Sequence, residues 1–322
     1  MSDFDRFVSG FAAVVGRPNV GKSTLINRIV GTKVSITSPR PNTTRSQVRG
    51  VLNRPGAQVV FVDTPGLHKP RTALGERMND SASSSMDDVD VVIAMVEATG
   101  AIGPGDRMVL TQASRRVRSL ARAAALEREL GVVDGDEAGQ PTLLVVVNKI
   151  DRVDPNGVLT HLTAVSGVIE SLAEEDGSAP VPVEYFPVSA AEGEGVDALV
   201  DAVLSRMPEG PRYYPEGMVT DVAEAFWVAD LVREQLLARV EDELPHSIAC
   251  RVTEWEWPRV RCEILVERDS QKGIVIGKGG STLKEVGTAV RKQMPPGAYL
   301  ELFVRVEKRW QQREEALDRL GF

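Results

Sequence analysis

The chain has 322 residues, 42% of them hydrophobic and 26% charged, with a net charge of −8. That balance excludes a disordered or low-complexity chain and leaves room for two cored domains. No apolar run approaches the ~20 residues of a membrane helix, and the start, MSDFDRF, is acidic and lacks a signal-peptide core. Cys250 and Cys262 form no CxxC or metal-ligand pattern, so two buried, reduced thiols in a cytoplasmic protein are expected. His68, His161 and His246 are scattered and define neither a triad nor a metal site.

The first strand pattern, FAAVV (11–15), runs into GRPNVGKST (16–24) and then the helix pattern LINRIV. Gly16, Gly21, Lys22 and Ser23 match Gly-x-x-x-x-Gly-Lys-Ser between a strand and a helix. There, backbone N–H groups through Thr24 wrap phosphate at a helix N-terminus, Lys22 reaches the outer phosphates, and the Ser23 hydroxyl ligates magnesium. A glycine-rich turn without ligand is the plainer reading, and the strand–loop–helix context disfavours it. Next comes SPRPNTTRS (38–46), where a threonine can bind magnesium once a γ-phosphate draws the loop in. Thr43 and Thr44 compete for that role, and Thr44 is favoured. A solvated Ser/Thr-rich loop is the alternative.

QVRGVLN (47–53) leaves no room for a helix before VVFVD (59–63), so an antiparallel edge hairpin is expected. The runs VVFVD, VDVVIAMVEA (89–98), TLLVVVN (142–148) and VEYFPV (183–188) suit strands buried on both faces of a largely parallel sheet. A doubly wound α/β domain follows, with ligands at the carboxyl ends of its strands. Three such ends carry chemistry. At DTPG (63–66), Asp63 can hold magnesium through water and the Gly66 N–H can meet a γ-phosphate. At NKID (148–151), the Asp151 carboxylate can accept both guanine N1–H and N2–H, beside Asn148 and Lys149. At SAA, Ser189, Ala190 and Ala191 offer a backbone N–H to guanine O6. Each tetrapeptide alone is weak; all four in chain order read as a GTP site. Gly131 to Pro141 reads as an acidic surface insertion.

MPEGPRYYPEG (207–217) reads as a linker. Beyond it the order is a helix (about 221–243), two strands (247–256, 259–267), GKGG, a helix (281–293), a strand (298–306) and a last helix (307–319). Gly277, Lys278, Gly279 and Gly280 form a Gly-x-x-Gly loop between helical segments, an arrangement that resembles a type II KH domain. Residues 268–313 hold ten Lys+Arg against four Asp+Glu, so Lys272, Lys278 and Lys284, with Arg291 and Lys292, are candidate phosphate contacts. Trp255, Trp257 and Trp310 are read as packing residues.

GRPNVGKSTLINRIVG, SITSPRPNTTR, VDTPGLH, VVNKID, ELPHS and VERDSQKG together resemble the Era family of bacterial GTPases. The resemblance spans almost the whole chain, except the longer stretch from Ser114 to Gln140. It implies a Ras-like P-loop GTPase domain (1–206), the linker (207–217) and an α+β type II KH domain (218–322). It implies GTP hydrolysis with magnesium, the 3′ region of small-subunit ribosomal RNA as partner, and maturation of the 30S subunit. Leu67 follows DTPG where Ras-like enzymes carry a water-orienting glutamine; by resemblance, Asn19 then helps hold a potassium ion, a loop-stabilising Asn being the alternative. Lys22, Thr44, Gly66 and Asn19 are the expected catalytic set. The expected protein is monomeric and cytoplasmic. Rival readings are a GTP-binding module without turnover and a regulator acting at the membrane, as a peripheral protein, or in cell-cycle control.

Overall fold

The computed structural model describes residues 7–130, 141–240 and 244–322. The insertion expected at 131–141 therefore falls, but for Pro141, outside the described residues. Contacts divide the chain into two compact units. The first runs to Ser35 and takes in Ser46–Lys69 and Met78–Asp221; the second takes Ile36–Arg45, Pro70–Arg77 and Val222–Phe322.

The first unit is built on a six-stranded sheet ordered β2-β3-β1-β4-β5-β6. Its strands are β1 (Val8–Gly16), β2 (Val48–Arg54), β3 (Ala57–Asp63), β4 (Val91–Glu97), β5 (Leu143–Asn148) and β6 (Val183–Val188). Helices α1 (Lys22–Val30), α2 (Ala73–Ser84), α3 (Pro104–Glu129), α4 (Pro155–Glu175) and α5 (Val196–Leu204) intervene, and α2 begins within the second unit. All neighbours pair in parallel except β2 and β3, which form the expected edge hairpin. Side chains alternate along β1: Ala12 and Val14 join the core of Ile26 and Leu199, whereas Ala13 and Val15 join Val117 and Ile169 on the other face. Each fully buried Val, Leu or Ile contributes about 1.5–3 kcal/mol, so both faces need covering. β6 departs from the expectation of two-sided burial. It is an edge strand, and most of VEYFPV remains partly exposed.

Residues 207–221 are tied to this unit. Met207 is buried in its core, Ser9 Oγ donates to Pro211 O at 2.7 Å, and Val51 N donates to Val219 O at 2.8 Å. The Gln58 side chain accepts from Tyr213 N and Tyr214 N, fixing a buried amide against a Pro-rich segment.

The second unit contains α6 (Glu224–Leu237), a single turn α7 (Leu244–Ser247), β7 (Ala249–Glu256), β8 (Arg259–Val266), α8 (Asp269–Ile276), α9 (Ser281–Arg291), β9 (Tyr299–Val306) and α10 (Glu314–Leu320). β7 pairs antiparallel with β8, and β8 parallel with β9. Val232 and Leu236 of α6, Ile264 of β8 and Val290 of α9 share one core, which Ile36 also enters. The segment around Ile36 is bound through polar contacts as well. Thr37 N donates to Glu234 Oε1 at 3.0 Å, and Arg233 donates to Thr43 O. Arg45 Nη1 donates to Ile248 O at 2.7 Å, with its guanidinium over the Trp310 ring. Burial, then the neighbouring Arg233, pulls the Arg45 pKa down to about 9.

Two boundaries differ from expectation. The helix read as about 221–243 is α6 over Glu224–Leu237: Ala223 is extended and sets its start, and residues 241–243 lie outside the described residues. The last helix starts at Glu314 rather than 307: Arg309 adopts φ 52° and Trp310 is buried, its Nε1 donating to Ser247 O at 2.9 Å. That anchor draws the chain out of helical geometry. Both cysteines are free thiols; Cys262 is buried, whereas Cys250 is only half-buried, which corrects the expectation for it.

Candidate nucleotide site and nucleic-acid loop

The loop from Gly16 to Gly21 leaves β1 and enters α1 through Asn19 at φ 67° and Gly21 at φ 105°. Both lie in the left-handed region, which turns the chain tightly onto the helix N-terminus. Lys22, buried, donates from Nζ to Gly16 O and Arg17 O, each at 3.1 Å. Burial lowers its pKa to about 8, with Asp63 opposing the shift. Thr24 is half-buried in the first turn of the same helix.

Ser23 Oγ and Ser35 Oγ each donate to Asp63 Oδ2 at 2.7 Å. Hydroxyl and carboxylate oxygens are what magnesium selects, so Ser23 and Asp63 fit that ion. Thr44 belongs to the second unit, where it is half-buried; there the Thr43 hydroxyl donates to Arg40 O at 2.7 Å within its own loop. Gly66 lies against the P-loop: a Cβ there would sit 2.7 Å from Pro18 Cα, so no larger residue fits without a shift. Leu67 is buried in the core and its N–H donates to Gly16 O at 3.1 Å.

At the other end of the site, the Asn148 amide joins two loops. Its Nδ2 donates to Val20 O at 2.6 Å, and its Oδ1 accepts from Ala190 N at 3.0 Å. Asp151 Oδ1 accepts from Ser189 Oγ at 2.6 Å, which orients the carboxylate. Lys149 is held at φ 66° and paired with Glu97 at 2.8 Å. Arg28 donates to the carbonyls of Ala190 and Ala191, steadying that turn from behind. The structure brings the expected residues of NKID and SAA together; Glu97 and Arg28 support them and Ser35 supports Asp63, and no motif of the sequence assigns these three a role. Glu97 carried no local signal, because only the pairing of β4 with β5 sets it beside the strand end at Asn148.

In the second unit, Gly277 (φ 76°), Gly279 (φ 60°) and Gly280 (φ 81°) place GKGG between α8 and α9. Lys278 and Gly279 are exposed at its tip; Lys284 is exposed on α9 and Lys272 half-buried on α8. Ile274, missed in the sequence reading, is 58% exposed on α8.

A phosphate loop with a guanine-reading end, followed by a Gly-x-x-Gly loop on a three-stranded α+β unit, defines a P-loop GTPase with a KH module. Family models agree: residues 11–133 match "50S ribosome-binding GTPase" and residues 243–311 match "KH domain". The chain is 45% identical to GTPase Era of Mycobacterium tuberculosis H37Rv, covering 98% of this chain and 99% of the relative. It is 44% identical to GTPase Era of Mycobacterium avium over the same shares. A crystal structure of Era with MgGDPNP and nucleotides 1506–1542 of 16S ribosomal RNA superposes with TM-score 0.78 at 34% identity, over 98% of this chain and 99% of that one. A structure of an Aquifex aeolicus Era variant bound to GDP and aluminium fluoride gives the same values. The chain belongs to the Era family of GTPases.

Proposed function

We propose that this GTPase acts as a GTP-driven switch that binds the 3′ region of small-subunit ribosomal RNA and assists assembly of the 30S subunit. The observation that carries this reading is the pairing, in one chain, of the Lys22–Ser23–Asp63 site with an exposed GKGG loop. The similar Era structure bound to MgGDPNP and 16S ribosomal RNA supports it.

In this reading Gly16, Asn19, Gly21, Lys22, Ser23 and Thr24 hold the phosphates. Lys22 supplies positive charge where the transferring phosphoryl group develops negative charge. Ser23, Asp63 and, in the GTP state, Thr44 hold magnesium, which polarises the phosphate oxygens. Gly66 N–H meets the γ-phosphate. Asn148, Lys149, Asp151, Ser189, Ala190 and Ala191 select guanine. Leu67, buried and apolar, orients no water, and Asn19 contributes to a potassium site instead. Gly277, Lys278, Gly279 and Gly280, with Lys272 and Lys284, admit and neutralise the RNA backbone, while Ile274 offers an apolar surface to bases. The protein works as a monomer in the cytoplasm. Domain limits are 1–206, 207–217 and 218–322.

Purified protein tests this directly. Phosphate release from GTP is expected in potassium and to slow in sodium at matched ionic strength. A gel shift with the 3′ end of small-subunit ribosomal RNA is expected, and with an unrelated RNA hairpin it is not. Equal mobility with both RNAs sinks the RNA assignment, and equal rates in the two salts remove the potassium site.

A further inference from the structure

We infer that Arg17 and Asp106 form a positioning clasp that holds the P-loop against the γ-phosphate side of the site, an inference that rests on the nucleotide site proposed above. Arg17 Nη1 meets Asp106 Oδ2 at 2.9 Å, and the same oxygen accepts Gly103 N at 2.9 Å. Asp106 is buried in the first turn of α3, where the helix dipole favours a carboxylate. The arginine stem lies across that turn: a Cβ on Gly105 would sit 2.9 Å from Arg17 Cδ. His161 also faces Asp106, but burial lowers its pKa, so at neutral pH the imidazole is uncharged and Arg17 supplies the cation.

The clasp bears on three residues of the site, Gly16, Arg17 and Pro18. Arg17 O and Gly16 O accept Lys22 Nζ, Gly16 O also accepts Leu67 N, and Pro18 is the surface on which Gly66 packs. Residues 16–18 are thus the floor under the DTPG turn, and Arg17 ties that floor to α3. Without the tie the floor can shift, carrying the Gly66 N–H away from a γ-phosphate. The Gly21 to Thr24 end of the loop keeps its own anchor, because Asn148 Nδ2 donates to Val20 O, and of those residues Lys22 reaches back to the clasped floor through Gly16 O and Arg17 O. The clasp therefore serves GTP and its turnover more than GDP.

Full-length Arg17→Ala, Asp106→Asn, the double variant and Arg17→Lys are compared with wild type for turnover, affinity for fluorescent GDP and a GTP analogue, and thermal midpoint. Each single change is expected to slow turnover roughly tenfold, as small misplacements of reacting groups do. GDP affinity is expected to stay within about twofold while the GTP analogue weakens several-fold. The double variant should be no slower than the worse single one, because both remove one interaction. Arg17→Lys should recover part of the rate. Turnover within about twofold of wild type in both single variants overturns the clasp. So does a parallel fall of both affinities with the thermal midpoint, which marks general damage to the fold. Lys22→Ala separates the two readings: if it retains turnover, the nucleotide site itself is misassigned and the clasp falls with it.

Discussion

Burial makes Lys22 a titrating group near physiological pH. Its pKa falls to about 8 by desolvation, with Asp63 partly opposing. A lowered lysine pKa means that the folded chain resists protonation: the penalty is complete below about 8 and is relieved as pH rises towards 10.5. A bound phosphate reverses this preference, because it favours the cation. GDP affinity is therefore expected to decline as pH rises through about 8, by up to tenfold per unit. A fluorescent-GDP titration between pH 7 and 9 checks it, and a flat profile contradicts the contact between Lys22 and phosphate. Asp151 makes a second residue-level test. Its carboxylate, oriented by Ser189, is placed to accept two guanine donors, and an amide there can donate instead. Asp151→Asn should shift preference from GTP towards XTP in a competition assay; unchanged selectivity rejects the assignment. Both residues were legible in the sequence, because lysine after Gly21 and aspartate after NKI carry a spacing that chemistry restricts. Glu97 was not, since its importance comes from a salt bridge to Lys149 that only the pairing of β4 and β5 creates.

At the scale of elements, apolar β-branched runs identified five of the six strands of the first sheet, and the short connection between residues 53 and 59 gave the sixth as an edge hairpin. Two helices were misread at their bounds, α6 and the last, whose start is displaced by the buried Trp310. An apolar anchor pairing with Ser247 is invisible to local periodicity. The GKGG turn is exposed and nothing surrounds a Cβ built on Gly279. Lys278→Asp with Gly279→Asp is therefore expected to abolish RNA binding while GDP binding stays intact. Asp tolerates the left-handed region better than most residues, so the folding cost should be about 1 kcal/mol. Wild-type affinity should fall with salt as counterions are released, and the double variant should lose much of that slope. Normal gel-shift affinity of the double variant rejects the RNA-binding role of this loop.

For the whole molecule, chain order and compact units do not coincide. Ile36–Arg45 and Pro70–Arg77 pack with residues from Val222 onward. Ile36 is almost fully buried, Arg45 donates to two main-chain carbonyls of α7 and the turn after it, and Arg77 pairs with Glu314 and Asp318. A fragment of residues 218–322 lacks all three. It is expected to be less stable than the same unit in the full chain by roughly 2–4 kcal/mol, from one buried aliphatic side chain and a few buried hydrogen bonds. Urea unfolding followed by tryptophan fluorescence measures this, and equal midpoints would show that the two inserted segments contribute nothing. The sequence alone determined the two kinds of module and the guanine nucleotide of the first, and it marked the strand ends as the expected place of the site residues. Those features depend on local period and on spacings set by phosphate and base chemistry. Only the tertiary structure decided that two segments of the GTPase half belong to the second unit, that Arg17 is tied to Asp106, and that Glu97 neutralises Lys149. Those facts join residues distant in the chain, and no local pattern records which distant partner a buried charge or an apolar side chain will find.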